Sequence, residues 1–101
     1  MELVDTIEIM ISNDYKERFK AEYAQLSIRL NKLAAMLEKY SKDELDFKPD
    51  TPFDVLKTQF NAMSVYRNTL TIRAALEDID LHDIDLRILN DMMKNKEVTG
   101  K

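Results

Sequence analysis

Cysteine is absent from this chain, tryptophan is absent, and glycine occurs once, proline twice and histidine once. The missing cysteine excludes disulfides and thiolate metal sites and fits a reducing compartment. A lone histidine with no thiol beside it leaves zinc without a donor set, and His82 reads as a capping or surface residue. There is no glycine-rich phosphate loop, and neither a Ser-His-Asp nor a Cys-His set can be assembled. No catalytic residue, metal site or cofactor is expected. No apolar run approaches the ~18 residues of a membrane span. The N-terminus lacks the basic stretch, apolar core and small-residue cleavage site of a secretory signal.

What the chain does contain favours helix: Ala, Leu, Lys, Glu, Met and Arg are plentiful over 101 residues. A net charge of −4 and a pI near 5.0 argue against a general DNA, RNA or acidic-membrane binder. A chain this short has a modest core, so a homo-oligomer is expected.

The sequence predicts one all-α domain, residues 1–101, built as an antiparallel hairpin of two long helices plus a short C-terminal helix. Residues 1–13 form an arm or short helix. Ile7, Ile9 and Ile11 alternate as in a strand, but Leu3, Ile7, Met10 and Ile11 also share a helix face, and no second strand is available to pair with. Asp14 with Glu17 makes a helix-start pattern, and the first long helix covers 14–40. Its seam is Tyr15, Phe19, Tyr23, Leu26, Leu30, Leu33 and Leu37, spaced by fours and threes. Thr51-Pro52 opens the second long helix, 52–77, whose seam of Phe53, Leu56, Phe60, Met63, Leu70 and Ala74 is interrupted by Arg67. A connection of about a dozen residues makes an antiparallel hairpin the default. A third helix spans 83–94 and is apolar over much of its circumference, and 95–101 forms a frayed tail. The acidic run Asp78, Asp80, Asp83, Asp85 lacks the Gly and terminal Glu of a calcium loop.

Two further stripes lie on the first helix. Ala21, Ala24, Ile28 and Ala35 sit almost opposite the leucine seam and invite another helix to approach closely. Arg18, Glu22, Gln25, Arg29 and Lys32 fall within an arc of about 80° on its shoulder. Gln59, Tyr66 and Arg73 recur every seven residues on the matching shoulder of the second helix. With paired positions summing to about 92, Arg73 falls near Arg18 and Glu22, Tyr66 near Leu26 and Arg29, and Gln59 near Lys32. One reading is a solvated face or structural ion-pair network. The other is an anion-binding strip, in which Arg and Lys hold phosphate and a tyrosine ring stacks on a base.

The phrases YKERFKAEYAQLSIRLNKLAAML and LKTQFNAMSVYRNTLTIRAAL resemble a family of small helical bacteriophage proteins related to a protein of the crAss-like phages. Its pattern is matched by Arg18, Glu22, Leu26, Arg29, Lys32 and Leu33, and by Gln59, Met63, Tyr66, Leu70 and Arg73. The architecture is also similar to the helical-hairpin sponges that phages make against CBASS and Thoeris immunity. These resemblances imply a non-catalytic oligomer in the cytoplasm of the infected host. It would sequester a nucleotide-derived signal, a cyclic oligonucleotide or a cyclic ADP-ribose type, in a pocket between protomers. Tyr15, Arg18, Glu22, Arg29, Lys32, Gln59, Tyr66 and Arg73 are its expected ligand contacts, with Glu22 orienting an arginine or accepting a ribose hydroxyl. The alternative is a helical protein-interaction module of phage origin that docks on a host or phage protein through apolar faces.

Overall fold

A computed structural model of the protein describes residues 1–99, with only the backbone described for 95–99. A 3-10 turn, Leu3–Thr6, runs into α1 (Ile7–Met10). The rest of the fold is α2 (Tyr15–Ser41), α3 (Phe53–Leu76) and α4 (His82–Thr99). The described residues contain helices and no strand. The first eleven residues take the helical option because their apolar side chains find α2 to pack on and no strand to pair with. In the stretch expected to fray, 95–101, helix continues through Thr99, and residues 100 and 101 lie outside the described residues.

Helix α2 is the hub, and α3, α4 and the N-terminal segment all pack on it. Asp14 starts it by accepting a hydrogen bond from the Lys16 backbone N–H at 2.9 Å. Both long helices then stop without glycine. Asp43 and Asp78 adopt φ of 57°, a left-handed conformation that aspartate tolerates better than most residues. The Glu44 N–H donates to the Lys39 carbonyl and the Ile79 N–H to the Ala74 carbonyl. These bonds satisfy carbonyls that each helix end would otherwise leave unpaired.

Three neighbours divide the circumference of α2. Its leucine seam meets α3: Phe19, Tyr23, Leu26, Leu30 and Leu37 are buried, as are Leu70 and Ala74 opposite. Its small-residue stripe is covered from within the same chain except at Ala35, which is exposed. Ala21, Ala24 and Ile28 are buried, with Thr6 at 1 % exposure and Leu3 and Ile9 packed against the same core. Ile84 and Ile88 of α4 close the third side. The core is therefore concentrated around α2, and α3 buries only Leu70 and Ala74 of its 24 residues.

Candidate functional site

Two polar flanks run along α2. The first is a node on the side between α3 and α4, linking all three helices. Arg67 donates from Nε to Ser27 Oγ at 2.9 Å and from Nη2 to the Tyr23 hydroxyl at 2.9 Å. Tyr23 in turn donates to Asp85 Oδ1 at 2.6 Å, and Arg67 lies 3.7 Å from the same carboxylate. The guanidinium also sits over the Tyr23 ring, 5.2 Å from its centroid. Burial, and then the bond to Asp85, hold the Tyr23 hydroxyl above its usual pKa of 10.0. Arg67 interrupts the apolar seam because its charge is met here from both neighbouring helices. That interruption was the sequence signal for the node; its partners Ser27 and Asp85 carried none.

The second flank lies between α3 and the N-terminal segment, and it holds the eight expected ligand contacts. All eight are exposed. At one end, Tyr15 donates to Glu77 Oε1 at 2.6 Å and accepts from Arg73 Nη2 at 2.9 Å, while Arg73 Nε donates to Glu77 Oε2 at 3.1 Å. Arg73 also lies over the Phe19 ring, 5.1 Å from its centroid. In the middle, the Tyr66 hydroxyl donates to Glu22. Arg18 turns away along the helix start and donates to the Ser12 carbonyl at 2.8 Å. Arg29 has no hydrogen-bond or ion-pair partner among the described residues. Toward the N-terminal segment, Gln25 donates to Thr6 Oγ1 at 3.0 Å and Lys32 pairs with Glu2 at 3.5 Å. Gln59 points its amide at Met63 Sδ, 3.8 Å away, too long a contact to fix it.

The shoulder contacts Tyr15–Arg73 and Glu22–Tyr66 pair positions one helical turn away from the expected register. Arg73 therefore meets Tyr15 and Phe19 in place of Arg18, and Tyr66 meets Glu22 in place of Arg29. Glu77, which the sequence left unassigned, clamps Arg73 from the position just past the end of α3. The polar arc of α2 thus floors a shallow trough. One wall is Tyr66 and Arg73 on α3, and the other is the N-terminal segment.

Electrostatics at the closed end follow from that clamp. The hydrogen bond from Tyr15 is the largest effect on Glu77 and holds its carboxyl below the ordinary 4.5. The same bond raises the Tyr15 hydroxyl above 10.0. The Arg73 guanidinium is held above its ordinary value, chiefly by its bond to Glu77. The open middle of the trough offers different groups: the exposed ring of Tyr66, the acceptor Glu22, and the Arg29 guanidinium, which has no partner among the described residues.

Lys32 also borders two cavities. One, of about 250 Å³, lies between the N-terminal segment and α4 and includes Asn31, Asp91 and Met92. It is smaller than the roughly 300–1,000 Å³ of ordinary ligand pockets. The other, of about 470 Å³, lies at the interhelical connection, where Lys32 and Lys39 are balanced by Glu44 and Asp46. The described residues contain no group of three or more His, Cys, Asp or Glu able to hold a metal ion. No helix among them is long and apolar enough to cross a membrane.

Fold and trough together define a class: a small helical hairpin that carries an exposed strip of arginine, tyrosine and carboxylate along its shoulder. The chain belongs to the Sequestin family, whose model matches residues 13–76. That span takes in α2, the connection and α3, and a relation to crAss-like phage proteins is not part of the match. No curated protein matches the chain, and no solved structure does.

Proposed function

We propose that this protein is a phage immune-evasion protein that binds and sequesters a nucleotide-derived signalling molecule without turning it over. The ligand is of the cyclic oligonucleotide or cyclic ADP-ribose type, the setting is the cytoplasm of the infected bacterium, and the working form is a homo-oligomer. One observation carries the reading. The Sequestin match spans both long helices, and every one of the eight strip residues, from Tyr15 to Arg73, lies inside it. The family name is compatible with a sequestering role, which is a binding role and not a catalytic one.

The chemistry of the trough supports the same reading. Arg29 is a guanidinium with no competing partner among the described residues, suited to a phosphate fork. Tyr66, 44 % exposed, presents a ring face on which a base can stack, while its hydroxyl is anchored on Glu22. Glu22 retains acceptor capacity for a ribose hydroxyl. Arg73 and Tyr15 are already engaged by Glu77, so their part in binding requires the ligand to displace or share that carboxylate.

The test is titration calorimetry of the protein at about 50 μM, enough to detect micromolar binding. The panel is cyclic dinucleotides, cyclic trinucleotides and cyclic ADP-ribose isomers. Saturable heat with one member is the expected result, and no heat with any of them overturns the proposal. A protein-interaction module is the second reading. It is favoured by the closure of Arg73 and Lys32 by carboxylates of the same chain and by the exposure of Val55, Val65, Ile72 and Leu76 along α3. It requires Arg29→Ala or Arg73→Ala to lower stability or assembly while no small ligand binds.

A further inference from the structure

Helix α3 has two apolar faces, and the fold uses one. Nearly opposite Leu70 and Ala74 runs a second stripe: Val55, Ala62, Val65, Thr69, Ile72 and Leu76, with Thr58 completing a spacing of threes and fours. It carries no charge over three heptads, in a chain of which 34 % is charged. Val55, Val65, Ile72 and Leu76 are 56, 67, 62 and 81 % exposed. They leave on the order of 400 Å² of apolar side chain bare, about half the roughly 800 Å² per partner of a standard interface.

We propose that a second copy of this chain packs antiparallel on this outer face of α3. The pattern selects that occupant because the stripe complements itself in one register. About a twofold axis near Arg67, Thr58 falls opposite Leu76 of the second copy, Ala62 opposite Ile72 and Val65 opposite Thr69. Small meets large at the two outer layers, in the alternation that fills a helix–helix seam. A parallel pairing sets Leu76 against Leu76 and Ala62 against Ala62, crowding one end and leaving the other loose. Antiparallel packing is isologous, so it closes as a dimer.

The polar shoulder borders this stripe. In the same register Tyr66 lies beside Tyr66 of the second copy, and Gln59 lies beside Arg73. The two open troughs join there into one groove with a ring and a guanidinium from each chain. What that groove holds rests on the function proposed above; the interface itself does not.

Sedimentation equilibrium of the wild-type protein is expected to give about twice the 11.8 kDa chain mass. Ile72→Glu, at a position exposed in the single chain, is expected to return it to the chain mass with its helical circular dichroism intact. Thr71→Glu, on the other side of α3, is expected to leave the dimer in place. Because the chain has no cysteine, disulfide trapping reads the register. The double variant Ala62→Cys/Ile72→Cys is expected to cross-link on oxidation, and Ala62→Cys alone is not. A monomeric wild type, an assembly indifferent to Ile72→Glu, or efficient cross-linking of Ala62→Cys alone would each overturn the proposal. No ligand enters these measurements, so their outcome is separate from that of the calorimetric panel.

Discussion

The two polar flanks of α2 are built from the same kinds of residue and have opposite characters. In the node, arginine, tyrosine, serine and aspartate from three helices satisfy one another, and Tyr23 is nearly buried at 2 % exposure. In the trough, arginines and tyrosines lie exposed and one guanidinium has no described partner, while Glu77, Glu22 and Glu2 each hold a neighbour. A satisfied, half-buried network makes its contribution to the fold. An exposed strip contributes little to stability and keeps its hydrogen-bonding capacity for something outside the chain. Under the proposed function, structure falls to the first flank and recognition to the second.

Four changes sharpen or break that assignment. Arg67→Ala removes a charged donor from Ser27 and Tyr23 and is expected to cost about 2 kcal/mol in urea unfolding, the order of a hydrogen bond to a charged group. Ligand heat at saturation should be unchanged once the variant is folded. Arg29→Ala is expected to do the reverse, shifting stability by less than about 0.5 kcal/mol while weakening ligand binding by tenfold or more in calorimetry. A stability loss at Arg29 equal to that at Arg67 would merge the two flanks into one structural network.

The third change is pH. The Glu77 carboxyl is depressed below 4.5, chiefly by its bond from Tyr15. Its stabilisation is therefore fully present above 4.5 and is lost as pH falls through the lowered value. The Tyr15 hydroxyl is raised above 10.0, chiefly by Glu77. Its contribution is present below 10.0 and is lost as pH rises through the raised value. Glu77→Gln is expected to flatten the acid side of the stability profile, measured by thermal unfolding across pH. It should leave the node's side-chain resonances in place. The smallest effect is at a helix end. Asp78→Gly relieves a left-handed aspartate and is expected to stabilise by at most about 1 kcal/mol, leaving both flanks untouched.

The all-helical class and the packing seam were legible in the sequence because their signal is periodic. Phe19, Tyr23, Leu26, Leu30 and Leu37 follow a heptad, and they are buried. The stripe of Ala21, Ala24 and Ile28 announced a second packing face. What covers it could not be read, since an arm of alternating isoleucines fits a neighbour as well as its own chain. The left-handed turns that follow the two long helices carried no sequence signal, because aspartate, in place of glycine, takes positions 43 and 78. The candidate strip was legible as two polar shoulders, but its contacts were not. A one-turn offset in hairpin register leaves the apolar pattern intact while exchanging the partners of Tyr66 and Arg73. The Arg73–Glu77 pair is local to one helix end and independent of the offset, whereas the bonds that join Tyr15 to both of them depend on it.

The most direct test of the central claim is recovery of the ligand itself. The calorimetric hit is mixed with excess protein, free ligand is measured by chromatography of the filtrate, and the protein is then heat-denatured and the filtrate measured again. Sequestration predicts that the ligand disappears from the first filtrate and returns chemically unchanged in the second. A ligand that stays free throughout, or comes back cleaved, would contradict it.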